Sequence, residues 1–288
     1  MSSTFERILV PTDLTDFTDA AMAHAFLFQD KLGSKVTMLH ADEISWLAAE
    51  HPVGYYIDHV PEAKRELQER LAAFALRYAG AGRAITTHFI DDQPAHAICV
   101  YAEEMDADLI VMATHARRGL SRAVLGSVTQ RVLRDTTRPV LTVVPAAIPS
   151  ASLRSVLCPV NFTPVARRGL EQAAIVAEAF GAQLIVMHVL EGEPPVLSHV
   201  DEEFAAWVDP LVQNRTRYDH IFAHGNAAAR VVETAELIGA SLIVVGAEHK
   251  WLVDRTVIGT STGQIIRNAT RPVLTVIHRE AAEARQVA

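Results

Sequence analysis

The sequence has few of the features that would place a chain in an oxidising or membrane environment. It contains 2 cysteines in 288 residues, Cys99 and Cys158, and two thiols at non-equivalent places in the repeat argue against a disulfide framework. No apolar run approaches the roughly 20 residues of a membrane span, and Glu6 and Arg7 stand where a signal peptide would be apolar. We therefore expect a cytoplasmic chain with reduced, buried thiols and no membrane partner.

An excess of basic residues is also absent. The formal net charge is -8, which argues against sequence-independent nucleic-acid binding. The 13 histidines form no H-E-x-x-H motif and the cysteines no paired C-x-x-C arrangement, so no metal site is predicted. The alternative is a cluster of His220, His224 and His249, but the expected strand order separates the third and fourth strands that carry them.

What the sequence does contain is a repeat. Residues 108–144 and 241–277 follow one plan of strand, loop, helix and strand. In the first copy, the short apolar run from Leu109 to Ala113 predicts a parallel strand buried on both faces. A polar, basic loop follows, Gly126-Ser127 begins a helix, and the strand from Val140 to Val144 closes the unit.

The repeat extends over nearly the whole chain. The run from Ile8 to Asp13 matches residues 156–161 at an offset of 148, and the later elements match at an offset of 133. A repeat of this length predicts two copies of one domain fold. We expect a first domain at residues 1–145, a linker at 146–152, a second domain at 153–280 and a polar tail at 281–288.

Each copy alternates strands and helices. This order predicts an α/β fold, doubly wound, with a parallel sheet, right-handed crossovers and helices on both faces. The copies differ between their second and third strands. There the first copy is predicted to form a loop over residues 41–60 and a helix from about Pro61 to Tyr78, whereas the second has a short helix broken near Pro210.

The Gly126-Ser127 pair carries the main functional signal. It opens a helix just beyond the carboxyl end of a strand. Free backbone N–H groups and the helix dipole both favour phosphate at such a place.

With Pro11-Thr12-Asp13 at the first strand tip, and the strand-loop-Gly-Ser-helix unit near the end of each half, the chain resembles a tandem universal stress protein over nearly its whole length. Nucleotide-binding members of that family carry G-x-x-G-x9-G-[ST] after the fourth strand and an aspartate after the first. The resemblance implies five-stranded sheets of order 3-2-1-4-5, with ATP between strands 1 and 4, with or without Mg²⁺. Strand order reverses there, and ligands of open α/β sheets bind at such points.

The resemblance also implies how the halves are joined. Two protomers of the family commonly pair their fifth strands antiparallel, and Val140 to Val144 and Val273 to Ile277 are nearly identical strands that would otherwise be exposed edges. We expect an internal pseudo-dimer of the two domains, and a homodimer of the whole chain stays open.

Neither half keeps the family motif intact. The first half keeps the spacing, Asp13 and Gly126-Ser127, but has Ala113 and Ala116 in place of two glycines. Glycine lets backbone N–H groups approach phosphate and permits positive φ, whereas an alanine costs little where φ is negative. The residues assigned to the nucleotide here are Pro11, Thr12, Asp13, Ala41, Met112, Ala113, Ala116, Gly126, Ser127 and Val128.

The second half departs further from the motif. Gly246 is kept, His249 stands at the second glycine, and Asn161 replaces the aspartate. A histidine side chain in the phosphate pocket makes this the weaker site, so ATP is predicted mainly in the first domain. The weaker site comprises Asn161, Val189, Gly246, His249, Gly259, Thr260 and Ser261.

In the binding interpretation, Asp13 accepts hydrogen bonds from the adenosine end of the nucleotide. Thr12 and Ala41 line the base pocket, and the helix start from Gly126 to Val128 offers N–H groups to phosphate. The loop arginines Arg117, Arg118 and Arg122 could add contacts to phosphate. A structural interpretation stays open, in which Asp13 caps the following turn, Ser127 caps its helix and the arginines form a solvated loop.

The predicted function is that of a stress-response sensor or regulator that binds an adenine nucleotide. No nucleophile-base-orienter set, P-loop lysine or metal cluster supports an enzyme, which leaves at most slow ATP hydrolysis or autophosphorylation at Ser127 or Thr129. The rival from another class is a nucleotide-free interaction scaffold with degenerate motifs. A third possibility, an adenine-nucleotide enzyme of a related fold, requires catalytic residues that the sequence does not show.

Overall fold

The computed structural model describes residues 5–44, 53–114, 125–145, 152–190, 200–212, 214–252, 255–258 and 260–278. Within these ranges the first half contains five strands and four α-helices. The strands are β1 (Arg7–Pro11), β2 (Lys35–Ala41), β3 (Ile85–Ile90), β4 (Leu109–Ala113) and β5 (Val140–Val143). The helices are α1 (Thr18–Leu32), α2 (Val53–Leu76), α3 (Pro94–Glu104) and α4 (Ser127–Asp135).

The second half repeats this order with one added strand. Its strands are β6 (Ser155–Val160), β7 (Gln183–Leu190), β8 (Tyr218–His224), β9 (Leu242–Leu252), β10 (Arg255–Ile258) and β11 (Val273–His278). Its helices are α5 (Pro164–Phe180), α6 (Val200–Val212), α7 (Ala227–Leu237) and α8 (Thr260–Asn268).

All strands except β10 join one continuous sheet of order β3-β2-β1-β4-β5-β11-β9-β6-β7-β8. Each half is parallel within itself and has the order 3-2-1-4-5, as the resemblance implied. The halves meet where β5 pairs antiparallel with β11, with Leu141 opposite Leu274. The expected internal pairing of the fifth strands is therefore confirmed, and it removes two sheet edges.

Two apolar cores lie on the two faces of this sheet, and each contains residues of both halves. Side chains alternate between the faces along β1, where Ile8 and Val10 enter one core and Leu9 the other. On the face of α1 and α5, the rings of Phe28 and Phe180 meet edge to face at 5.1 Å across the two halves. The helices therefore join the halves on that face in addition to the β5–β11 pair.

Several local signals are confirmed at the helix ends. Gly33 and Gly181 are equivalent in the repeat, and each ends its helix in the left-handed region, with φ of 74° and 65°. Glycine adopts this conformation without a Cβ clash, which explains the residue at both places. The two cysteines lie in α3 and β6 as free thiols.

Three expectations about the elements were wrong. Helix α2 begins at Val53 and contains Pro61, although the sequence predicted a loop through residue 60 and a helix start at the proline. Helix α6 continues past Pro210 to Val212, so the expected break does not occur. A proline removes only one backbone donor, and Pro210 lies so near the end of α6 that just two helical residues follow it. The third error concerns β9 and β10, which lie beside the candidate site of the second half.

Candidate functional site

The β1–α1 turn carries the acidic residue of the predicted first-half site. Asp13 is exposed, and its Oδ1 accepts hydrogen bonds from the Thr15 N–H at 3.1 Å and the Thr15 hydroxyl at 2.5 Å. Thr12 is buried, and its Oγ1 lies 2.7 Å from the Thr18 hydroxyl and accepts from the Leu14 N–H. Leu14 adopts a left-handed φ of 60°. Asp13 thus caps this turn, as the structural interpretation expected, and its exposed carboxylate remains compatible with a ligand contact.

The equivalent turn in the second half has the same construction. Phe162 has a φ of 58° at the place of Leu14. The Thr163 hydroxyl donates to Asn161 Oδ1 at 2.7 Å and accepts from the Ala166 N–H at 3.2 Å, so Thr163 is the side-chain N-cap of α5. The turn conformation is therefore retained although the acid is lost.

In each half the second strand runs beyond the end of the first: β2 extends past β1, and β7 extends past β6. The Thr12 N–H donates to the Leu39 carbonyl, and the Asp42 N–H donates to the Ile90 carbonyl on the opposite side. Because successive residues of a strand face opposite neighbours, the N–H and C=O of Ala41 face the β1 side, beyond the last residue of β1. The same argument applies to Val189, since the neighbouring Leu190 carbonyl accepts from Gly225 on the far side.

Such a backbone edge suits the hydrogen-bonding edge of a purine base. Beside it, His40 Nδ1 lies 2.9 Å from the Thr12 carbonyl, and His188 Nδ1 lies 2.8 Å from the Val160 carbonyl. A carbonyl can only accept, so each Nδ1 carries the proton and donates. These two histidines hold the ends of β2 and β7 to the neighbouring turns.

The helix start at the predicted phosphate site has no side-chain cap. Gly126 is the N-cap of α4, with φ -60° and ψ 152°, and no side-chain hydrogen bond caps it. Ser127 is the first helical residue and is exposed, so the expectation that Ser127 caps the helix was wrong. Val128 is half-buried and Thr129 is buried at 3% exposure, which leaves Ser127 as the accessible hydroxyl of the two.

The remaining first-half residues lie at the strand ends. Pro11 ends β1, Met112 is buried in β4, and Ala113 ends β4 half-buried. Ala113 is not among the residues with positive φ, so its Cβ imposes no backbone strain. Ala116 and the arginines Arg117, Arg118 and Arg122 lie outside the described residues.

A cavity of about 590 Å³ lies at the carboxyl ends of β6, β7 and β9 in the second half. Ligand pockets typically have volumes of about 300–1,000 Å³. Four residues predicted for the weaker site line it together, namely Asn161, Val189, Gly246 and Ser261. Its polar lining also includes Glu248, Thr262 and His188, which the sequence analysis did not assign to the site.

Gly246 has a packing role that the motif did not suggest. A Cβ built on it would lie 2.2 Å from the carbonyl oxygen of Val165 at the start of α5. Gly169 of α5 is the reciprocal contact, since a Cβ there would lie 2.8 Å from the Gly246 nitrogen. The equivalent first-half positions carry Ala21 and Ala113. Close contact between α5 and β9 therefore accounts for the glycine without any ligand.

The predicted second-half loop is a hairpin. Strand β9 continues through His249 to Leu252 and pairs antiparallel with β10, with Leu252 opposite Arg255 and His249 opposite Ile258. This was the third error about the elements, and β10 lies against α4 of the first half. Thr260 begins α8, and Gly259 lies outside the described residues. The β-branched and aromatic residues Trp251, Thr256, Val257 and Ile258 are the sequence signal for this strand pair.

Other reactive groups lie away from these clefts. Burial raises the pKa of the Cys99 thiol to about 12 and that of Cys158 still further, so both stay protonated and unreactive at neutral pH. Within the described ranges, no group of three or more His, Cys, Asp or Glu side chains is placed to hold a metal ion. The same part of the chain contains no helix long and apolar enough to cross a membrane.

The architecture defines a class: a tandem, doubly wound α/β protein in which the strand order reverses once in each half. Two consecutive stretches, residues 4–144 and 152–276, match the model of the universal stress protein family. The chain belongs to the universal stress protein family.

Individual relatives agree with this assignment. The universal stress protein MJ0531 of Methanocaldococcus jannaschii is 32% identical over 139 residues, covering 48% of this chain and 82% of the relative. Universal stress protein Rv2005c of Mycobacterium tuberculosis is 23% identical over 273 residues, covering 89% of both chains. The crystal structure of a universal stress protein from Archaeoglobus fulgidus matches with a TM-score of 0.75 and 20% identity, covering 96% of this chain and 98% of that one. At this identity the structural match supports the fold alone.

Proposed function

We propose that this protein binds ATP, alone or with Mg²⁺, in the cleft of its first half, and acts in the cytoplasm as a stress-response sensor or regulator. The cleft lies between β1 and β4, where the strand order reverses. Asp13 follows β1, Ala41 ends β2 and α4 follows β4, and the carboxyl ends of these parallel strands share one edge of the sheet.

The observation that carries the proposal is the state of the helix N-termini. Helices α3 and α4 begin on the cleft side of the sheet, and their N-caps, Gln93 and Gly126, carry no side-chain cap hydrogen bond. Their first N–H groups and positive dipole ends favour an anion. A polyphosphate supplies that anion, while Asp13 can accept hydrogen bonds from the ribose.

The half-buried Ala113 does not oppose this function. Its φ lies in the ordinary range, so an alanine is tolerated where the family motif has glycine. The glycine kept in the second half, Gly246, is explained by the contact with α5. The difference in glycines between the halves therefore says more about helix packing than about which half binds ATP.

Calorimetric titration of the full chain with ATP tests the proposal. Asp13→Ala should weaken binding about 10- to 100-fold, since a hydrogen bond to a charged group is worth about 1.5–3 kcal/mol. Asp30→Ala is the matched control, because Asp30 pairs with Arg83 near the other end of α1 and should leave the affinity unchanged.

Gly126→Glu tests the phosphate end independently. A carboxylate at the N-cap of α4 should repel phosphate and leave the strands intact. Gly80→Glu is its control, because Gly80 lies in a 3-10 turn and no atom lies within 4 Å of the position that a Cβ would occupy there. If the wild type shows no ATP binding, the nucleotide-free scaffold becomes the better description.

A further inference from the structure

We infer that the cavity of the second half is a site for a neutral ribonucleoside, of which adenosine is the probe, and that it discriminates against phosphorylated nucleotides. The inference extends the proposed function and rests on it for the recognition of an adenine base. It assigns the two halves different ligands: a nucleotide to the first and a nucleoside to the second.

The cavity has the dimensions and the backbone edge that a nucleoside needs. Its volume is about 590 Å³, and the N–H and C=O of Val189 face it past the end of β6. Neighbouring strands are about 4.8 Å apart, so β7 and β9, on either side of β6, lie about 10 Å apart. A base bound at Val189 therefore directs its sugar across the tip of β6 towards β9.

Glu248 stands where that sugar would arrive. It lies in β9 two residues beyond Gly246, is half-buried and lines the cavity. Among the described residues, no side chain forms an ion pair or hydrogen bond with it. A carboxylate in this position can accept hydrogen bonds from ribose hydroxyls, as acidic residues do in dinucleotide sites, and it repels phosphate.

Three helices begin beside the cavity, and two of them, α5 and α7, have a side-chain cap, while the third, α8, contributes Ser261 and Thr262 to the lining. The Thr163 hydroxyl caps α5 by accepting from the Ala166 N–H, and Asn226 Oδ1 caps α7 by accepting from the Ala229 N–H at 3.0 Å. In the first half, α3 has no such cap, whereas at α1 the N–H groups of Thr18 and Asp19 bond to the backbone carbonyls of Thr15 and Asp16. The difference in capping between the halves therefore lies in α3 and α7. Capped N-termini offer fewer donors to an anion, so the second cleft is less suited to polyphosphate.

The hairpin occupies part of the segment that the family motif assigns to the phosphate cradle. Residues 249–252 and 255–258 pair with each other along an antiparallel ladder, so alternate N–H groups of this segment bond to the facing strand and are not available to phosphate. At the start of α8, the Thr262 hydroxyl donates to the Gly246 carbonyl at 3.1 Å, which engages a further polar group of this region.

The repeat also shows that the acid has changed position. The first half has Asp13 at its first strand tip and His115 at the position equivalent to Glu248, whereas the second half has Asn161 and Glu248. The second half thus carries its carboxylate on β9, whereas the first half carries it at the tip of its first strand. The Asn161 Oδ1 accepts from the Thr163 hydroxyl, and its amide N–H groups can still donate to a sugar or base oxygen.

The test uses the full chain carrying Asp13→Ala, which removes the predicted ATP ligand of the first half. Adenosine, AMP and ATP are titrated into this variant by calorimetry at one salt concentration. We expect adenosine to bind at least tenfold more tightly than ATP. If ATP binds as tightly as adenosine, or if adenosine does not bind at all, the inference is overturned.

Glu248→Gln in the same background tests the carboxylate. It should weaken adenosine about tenfold through the lost charged hydrogen bond and strengthen ATP by removing the repulsion. Unfolding of the domain would weaken the binding of both ligands, so tighter ATP binding cannot result from it. Glu202→Gln, an exposed carboxylate on α6, is the matched control and should change neither affinity.

A ligand without sugar hydroxyls isolates the proposed contact. We expect 2′,3′-dideoxyadenosine to bind about tenfold more weakly than adenosine when Glu248 is present, and equally when it is glutamine. An equal loss in both proteins would refute the role of Glu248. If the wild type binds adenosine and never ATP, the proposed function fails and this inference stands. If the wild type binds ATP but Asp13→Ala binds no adenosine, the proposed function stands and this inference fails.

Discussion

The contact between α5 and β9 gives the sharpest test of what Gly246 does. In Gly246→Ala, the new Cβ would lie 2.2 Å from the Val165 oxygen, 2.7 Å from the Val165 carbonyl carbon and 2.9 Å from its Cγ1. Two of these atoms belong to the backbone, so a rotamer change cannot relieve the overlap. The first turn of α5 must retreat by about 1 Å to restore an ordinary contact.

The expected magnitude follows from two opposing effects. Overpacking of this kind costs about 1–3 kcal/mol. The alanine also reduces the entropy of the unfolded chain, which returns about 0.4–1 kcal/mol. We therefore expect Gly246→Ala to lower the free energy of unfolding by about 1–2 kcal/mol.

Urea unfolding followed by circular dichroism measures this difference. Gly80→Ala is the control, because no atom lies within 4 Å of a Cβ placed there, and it should not destabilise the protein. Adding Val165→Ala to Gly246→Ala removes only the Cγ atoms and should recover little of the loss. A wild-type midpoint for Gly246→Ala, or full rescue by Val165→Ala, would refute the backbone contact as the reason for the glycine.

The remaining predictions concern pH and the joint between the halves. Burial lowers the pKa of His24 below its ordinary value of about 6.5. The unfolded chain therefore binds the proton more readily, and stability falls as the pH drops below about 6.5. His24→Leu should make the urea midpoint less dependent on pH between about pH 7.5 and 5.5, and an unchanged dependence would contradict this. The Arg138 guanidinium holds the pKa of the Glu103 carboxyl below its usual range, so the pair stabilises the fold above about pH 4.3 and its contribution is lost as pH falls through the lowered pKa. Because both partners reach solvent, Arg138→Gln should lower the free energy of unfolding by less than about 1 kcal/mol at pH 7 and by still less at pH 3. An equal loss at the two pH values would argue against the ion pair. Phe28→Ala should cost about 3–5 kcal/mol, since Phe28 is 1% exposed and packs on Phe180 of the other half; a loss below about 1 kcal/mol in thermal or urea unfolding would mean that this contact does not join the halves.

Local sequence was sufficient for most of the fold. The continuous apolar runs of β1 and β4 are too short for helices and indicate buried strands, and Gly33 and Gly181 mark helix ends because glycine has no Cβ to clash at positive φ. The repeat then supplies the tandem architecture, and the resemblance supplies the strand order. These features depend on residues close together in the chain, which is why a pattern reveals them.

The candidate site could be predicted only in part. Asn161, Val189, Gly246 and Ser261 line one cavity, as the motif suggested. Glu248 was missed because the motif directs attention to its glycines, although comparison of the two halves would have shown an acid at a position where the first half has His115. The caps of α5 and α7 had a sequence signal, since Thr163 precedes a proline and Asn226 is a favoured N-cap residue, but the lack of a cap on α3 and α4 depends on hydrogen-bond geometry.

The sequence by itself determined that two copies of an α/β domain of alternating strands and helices would form, because hydrophobic period, turn residues and repeat offsets are local properties. Only the tertiary structure decided how the candidate sites of the two copies differ. The pairing of β9 with β10, the approach of α5 to Gly246, and the position of Glu248 beside the Val189 edge depend on contacts between distant segments. Such contacts are set by the packing of the whole domain, so the motif spacing did not reveal the β9–β10 hairpin of the second half.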